Sequence, residues 1–367
     1  MSGVDYVFVA VVGSRFLLPL LIPRYPLPAV IGCLLLDGVD QTIFQAFGYD
    51  PPGYQSYDKA MDVYYLAIAY LATMRNWASM PAYDVGRFLY FYRLVGVVVF
   101  ELSQVRAMLL VFPNTFEYFF IAYETVRTRW RPLRVTLKWW VITAAAIWIF
   151  VKLPQEYWLH VAQLDLTDTL RDYSWAWPLL ISLLLLLAAV LWFVVRPRLP
   201  EPDWDLRLPA DPLPEAINTA AEQAAWRATS GRVVSWVTLE KVVLVGLISI
   251  IYAQTLPGIH ATNLELFVFI AVFVVLNTAI GIAFARRGRS IESATLAVLA
   301  RLLVDVVIVV VARWLAGSDS SSWNVIFFLG LISLITTLHD RWQPVLAYRR
   351  STPTSSAGPV AVEGAGA

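Results

Sequence analysis

The sequence predicts an all-α polytopic membrane protein of about ten transmembrane helices, and three observations carry that prediction. Of 367 residues, 59% are hydrophobic and 15% charged, with a mean hydropathy of +0.63, well to the apolar side of soluble domains. Several apolar runs reach the ~20 residues that a helix needs to cross a bilayer. Basic residues concentrate on alternate connecting segments, as the positive-inside rule requires of a multi-pass chain.

Residues 5–22 form the first expected helix, closed by Pro23 and Pro26, and residues 27–46 the second. FGYDPPGYQ then makes a turn whose two prolines and two glycines suit close approach of backbone to a ligand. The third helix runs from Asp58 to about Trp77, and the fourth covers 84–112. The stretch FPNTFEYFFIAYETVRTRWRPLR is too polar at its end for a full span and reads as an amphipathic segment leading to the interface. Helices five and six cover 135–153 and 175–195. Residues 196–232 are Pro-rich and mixed in charge, a linker with one short helix at 214–228. Four more apolar runs follow at 234–256, 262–285, 292–315 and 323–338. The expected domains are a six-helix membrane domain at 1–198, a cytoplasmic linker at 199–232, a four-helix membrane domain at 233–343 and a disordered tail at 344–367.

The orientation follows from charge. RTRWRPLRVTLK, RPR, ARRGR and AYRR fall on one side, while LPGIHATN and AGSDSSS on the other contain no Lys or Arg. Both termini are therefore expected in the cytoplasm of a cell-membrane protein. The net charge of +1, with no basic stripe apart from the membrane flanks, points away from nucleic acid. Cys33 is the sole cysteine, so no internal disulfide forms, and a lone apolar thiol is expected to pack rather than react.

Four aspartates stand at the ends of the second and third helices, in DGVDQTIFQAFGYDPPGYQSYDKAMD. Asp37 and Asp40 are three apart, and Asp58 and Asp62 four apart, so each pair projects from one helix face. A charge in hydrocarbon costs at least ~2.5 kcal/mol, so four of one sign need a counter-charge. Oxygen-only ligation suits Mg²⁺ or Mn²⁺. Helix capping or an aqueous vestibule would also accommodate them.

This spacing resembles that of the CDP-alcohol phosphatidyltransferases, whose motif is Asp-x-x-Asp-Gly-x-x-Ala-Arg, eight residues, then Gly-x-x-x-Asp-x-x-x-Asp. Asp37, Asp40, Asp58 and Asp62 fall on the four motif aspartates without a gap, and YDKAMDVYYLAIAY is similar to the family's third helix. Between them the chain departs: Gln41 stands for the motif Gly, Phe44 for Ala, Gln45 for Arg and Tyr54 for the second Gly. The resemblance covers about residues 15–195 and implies a six-helix bundle of that family's kind, to which four extra helices are added. It implies two ions held by Asp37, Asp40 and Asp58, and Asp62 as general base. Gln41 and Gln45 would line the donor site, where bulk replaces a glycine and an amide replaces a charge. Either the donor is not an ordinary CDP-alcohol, or donor binding has been lost.

Three arginines are candidates for substrate phosphate. Arg15 precedes the Pro23–Pro26 turn by roughly as many residues as Asp37 follows it, so both sit at nearly one depth. It either faces the aspartate cluster or pairs with one carboxylate. Arg93 is open to phosphate contact or to Arg–Glu pairing, and Arg106, nearer the basic end, leans to phosphate. His160, Asp165 and Asp168 read as a solvated loop without a ligand set. Arg301 and Asp305 can pair within a helix, with Glu292 beyond them, and Lys241 with Glu240 reads as a snorkelling interface pair.

The function expected from these residues is metal-dependent transfer of a phospho-alcohol group from a pyrophosphate-containing donor to a hydroxyl acceptor, in phospholipid or cell-envelope lipid synthesis. The partners would be a membrane lipid, a nucleotide-activated or lipid-linked donor, and a second copy of the chain. A non-catalytic scaffold descended from the same family is the alternative, as is a transporter or lipid translocator, which the lack of an internal repeat disfavours.

Overall fold

The computed structural model describes residues 3–47, 54–158, 162, 169–170, 172–255, 262–288, 299 and 322–352. His160, Asp165, Asp168, Glu292, Arg301 and Asp305, the turn at 48–53, the run at 292–315 apart from residue 299, and the end of the tail from 353 lie outside them. Among the described residues every regular element is helical. Among the described residues four helices are long and apolar enough to cross a membrane, Pro26–Ala46, Leu137–Glu156, Trp236–Thr255 and Asn263–Arg286.

The helices are α1 (Gly3–Leu17), α2 (Pro26–Ala46), α3 (Tyr54–Asn76), α4 (Met80–Ser103), α5 (Ala107–Val111), α6 (Thr115–Arg129), α7 (Leu137–Glu156) and α8 (Ala176–Ala189). After them come α9 (Ala220–Ser230), α10 (Trp236–Thr255), α11 (Asn263–Arg286) and α12 (Ser322–Ser351). They fall into two compact units. The first is Met1–Tyr70, Pro81–Ala210 and Ile250–Leu256; the second is Leu71–Met80, Asp211–Ser249 and Pro257–Ala367. The division cuts the expected linker after Ala210 instead of setting it apart.

In the first unit α3 is the inner helix. From Ala60 to Tyr70 it is buried almost without a break, with Tyr64, Ala67, Ile68 and Tyr70 wholly enclosed. At the other extreme, Leu183 to Leu186 of α8 are 54–65% exposed. A contiguous apolar surface of that kind is costly in water and favourable in lipid. The chain is therefore read as an all-helical membrane protein.

Three expectations change in this unit. The fourth helix ends at Ser103, because Gln104 takes a left-handed φ of 57°, the conformation that terminates helices. Its side chain donates to the Glu101 carbonyl at 2.8 Å, and α5 resumes after the turn. Gly96 lets Phe112, just past α5, lie against α4, since a Cβ there would overlap the phenyl side chain. Gly96→Ala is expected to cost about 1–3 kcal/mol by overpacking, offset only slightly by helix propensity, and to lower the thermal midpoint in detergent.

The second change concerns α6, which is an inner helix and not an interfacial one. Phe116, Phe119, Phe120 and Tyr123 are at most 1% exposed, and Glu117, Glu124 and Arg127 are buried with them. The apolar stripe has the helical spacing of a packed face, and each charge has a partner: Arg127 donates to Glu124 at 2.5 Å.

The third change is that the start of the linker is a strap. The last carbonyls of a helix need donors from elsewhere, and residues 203–207 supply them. Trp204 Nε1 donates to Arg127 O at 3.2 Å, Arg207 N to Thr128 O at 3.0 Å and Asp203 N to Arg129 O at 2.9 Å. Arg127 returns a bond to Pro209 O at 2.9 Å, and the Asp203 carboxylate pairs with Arg134.

In the second unit α9 opens with a reciprocal cap: Glu222 N donates to Thr219 Oγ1 at 3.2 Å and Thr219 N to Glu222 Oε2 at 2.9 Å. Helix α12 runs on to Ser351, through residues expected in the tail, because Trp342, Val345 and Leu346 continue its buried face. Lys241, expected to snorkel at an interface, is enclosed instead. It is 2% exposed and donates to Asp340 Oδ1 at 2.7 Å, since a buried ammonium needs a carboxylate within reach.

Candidate functional site: an aspartate cluster around Arg15

Helices α1, α2 and α3 bring one arginine and four aspartates together. Arg15 lies in the last turn of α1 and is 7% exposed. Its guanidinium donates to Asp37 at 2.5 Å, to Asp58 at 2.5 Å, to Asp62 at 2.9 Å and also to Asp40. The planar fork presents five N–H donors, which is why one arginine can bridge carboxylates from two helices. The Tyr57 ring lies beneath the same guanidinium, 5.7 Å from its centroid.

The four acids are not equivalent. Asp40 is fully buried, and its Oδ1 also accepts the Gln41 backbone N–H at 2.6 Å. Asp37, Asp58 and Asp62 keep about a third or more of their side chains open, at 36%, 32% and 43%. One oxygen from each of these three lies within 4.8 Å of the others. Carboxyls that close repel unless a proton or cation lies between them.

That donor set fits a hard divalent cation. All ligands are carboxylate oxygens, and an octahedral Mg²⁺ with bonds of ~2.1 Å spans about 4.2 Å, so a small inward rotation would close the set. Four carboxylates around one guanidinium also leave a formal excess of negative charge that a cation would offset. The crevice beneath, between Arg15, Cys33, Asp37, Met61 and Tyr65, has a volume of only about 10 Å³, room for a single water. Any larger ligand meets the carboxylates from their exposed side.

The other expected side chains are bonded elsewhere or exposed. Arg93 Nη1 donates to Phe112 O at 2.9 Å and, with Tyr92 OH on Val111 O at 3.0 Å, secures the chain after α5. Arg106 is exposed in the turn that begins α5. Gln41 and Gln45 are exposed on α2, past the two aspartates of that helix.

Sequence reasoning missed a second buried polar layer. Tyr65 continues the Asp58–Asp62 face by one further turn, and its hydroxyl donates to Glu117 on α6. Glu117 also accepts from Asn114 Nδ2 at 3.0 Å and lies 3.9 Å from Lys152 Nζ. Glu156, a turn beyond Lys152, accepts the Asn114 backbone N–H at 3.2 Å. Lys152 and Glu156 are four apart at the end of an apolar run, a pattern that marks a paired inner face.

Comparison with family models, with curated proteins and with solved structures finds no match.

Proposed function

We propose that the protein is a metal-dependent membrane phosphotransferase that moves a phospho-alcohol group from a pyrophosphate-containing, CDP-like donor to a hydroxyl acceptor. The observation that carries this is the convergence of three carboxylate oxygens, from two helices, within 4.8 Å. The four-aspartate spacing resembling the CDP-alcohol phosphatidyltransferases supports it. The finer picture belongs with it: about ten spans, a six-helix catalytic bundle with four added helices, cytoplasmic termini and a role in phospholipid or envelope-lipid synthesis at the cell membrane.

Two ions of Mg²⁺ or Mn²⁺, when bound, would neutralise the donor pyrophosphate and the leaving phosphate. Asp37, Asp40 and Asp58 would hold them, Asp40 being oriented by Arg15 and by the Gln41 N–H. Asp62, the most open of the four, accepts the proton of the acceptor hydroxyl. Beside cations and Arg15 it acts through placement more than basicity. The Arg15 guanidinium, beside these acids, would offer its planar fork to donor phosphate. Gln41 and Gln45 offer hydrogen bonds without charge, which favours a donor recognised by its pyrophosphate over one recognised by its base.

Purified protein in lipid with Mn²⁺ is expected to release CMP or another nucleotide from an activated donor, and Asp58→Asn to abolish that release together with Mn²⁺ binding. One observation favours a second reading: the Arg15 guanidinium already bonds all four carboxylates, as in a structural ion pair of a non-catalytic scaffold. Absence of both Mn²⁺ binding and turnover over a panel of nucleotide-activated and lipid-linked donors would decide for the scaffold.

A further inference from the structure

The second unit contains a cavity of about 270 Å³ that the phosphotransfer chemistry does not use. Its walls come from the end of α9, the turn after it, the start of α10, the latter half of α11 and the end of α12. The polar groups that matter are Arg227, Arg232, Lys241, Thr278 and Asp340, with the Ser235 and Thr238 hydroxyls 3.0 Å apart at its side.

Charge on this lining is unbalanced. Lys241 is buried and its ammonium bonds Asp340 Oδ1 at 2.7 Å and Thr278 Oγ1 at 3.3 Å, so lysine and aspartate offset each other. Arg227 has a different partner. Pro344 has no N–H to give the Asp340 carbonyl one turn back in α12, and Arg227 Nη2 fills that role at 2.5 Å. A carbonyl satisfies the hydrogen bond and leaves the guanidinium charge uncompensated. Arg232 is exposed at the turn, and among the described residues no ion-pair partner meets its side chain. Two guanidinium groups therefore border one cavity without a matching carboxylate among the described residues. It lies at the ends of α11 and α12 that continue into Arg286–Arg287 and Arg349–Arg350, where added positive potential attracts anions.

We propose that this cavity binds a phosphate-bearing anion, a phosphomonoester or phosphodiester of headgroup size. Guanidinium forks match phosphate oxygens two at a time. A basic pocket between membrane helices near a basic helix end is the setting in which anionic headgroups bind. The volume admits a phosphate with several further heavy atoms. The cavity shares no residue with the aspartate cluster, so failure of this proposal would leave the phosphotransferase proposal untouched.

The test uses full-length protein in neutral detergent with EDTA, which removes cation-dependent binding at the aspartates. Dioctanoyl phosphatidic acid, glycerol 3-phosphate and inorganic phosphate are titrated calorimetrically at matched ionic strength. At least one is expected to bind, at least tenfold more weakly to Arg232→Ala, whose exposed position leaves the fold intact, and more weakly still to Arg227→Gln/Arg232→Ala. Binding of the lipid alone identifies a membrane headgroup; binding of glycerol 3-phosphate as well identifies a soluble phosphate ester. No binding by any of the three probes, or binding equal in Arg232→Ala and the parent protein, overturns the proposal.

Discussion

Arg15→Gln is expected to destabilise the protein by about 3–5 kcal/mol when divalent cations are chelated, the loss typical of removing one partner from a buried charge cluster. Arg15 is 7% exposed and bonds all four aspartates, one of which is wholly buried. Glutamine keeps two amide donors of the arginine fork and removes its charge, so the carboxylates would face one another without a cation. The measurement is the thermal midpoint in detergent with EDTA and then with Mn²⁺. The variant should gain more from Mn²⁺ than the parent does, because a bound ion replaces the missing counter-charge and stabilises the native state by mass action. Equal midpoints in EDTA would show that Arg15 is not what holds the acids together.

Asp62→Asn is expected to slow turnover by about 10²- to 10⁴-fold, the range for loss of a positioned general base, while Mn²⁺ affinity changes little. The contrast with Asp58→Asn, expected to lose both, separates the two roles. It also tests a tension between motif and geometry. The motif resemblance makes Asp62 the base and Asp40 a ligand, whereas the three oxygens that lie closest together belong to Asp37, Asp58 and Asp62. If Asp62→Asn weakens Mn²⁺ binding as much as Asp58→Asn does, Asp62 is a ligand and the base must be sought elsewhere, with the Tyr65–Glu117 pair next in line.

Much of the aspartate cluster was legible beforehand, since helical periodicity alone puts Asp37 with Asp40 and Asp58 with Asp62. Counting residues back from a proline turn set Arg15 at their depth. The strap over α6 was not legible. Its donors are backbone N–H groups and one indole, and a Pro-rich composition does not reveal which helix end they will cap. The break at Gln104 was hidden as well, because left-handed turns are marked by glycine or asparagine and neither stands there. At α9 a signal existed in Thr219-x-x-Glu222, the spacing of a reciprocal cap, which would have moved the start of that helix to its observed place.

The sequence by itself determined that this chain forms bilayer-length helices and that the second and third each carry an aspartate pair on one face, because both follow from local periodicity and the cost of polar groups in hydrocarbon. Only the tertiary structure decided that a single guanidinium meets all four carboxylates and that Lys241 finds Asp340 far along the chain. Contacts between distant residues depend on how helices rotate and cross when their side chains pack, and no local pattern encodes that rotation.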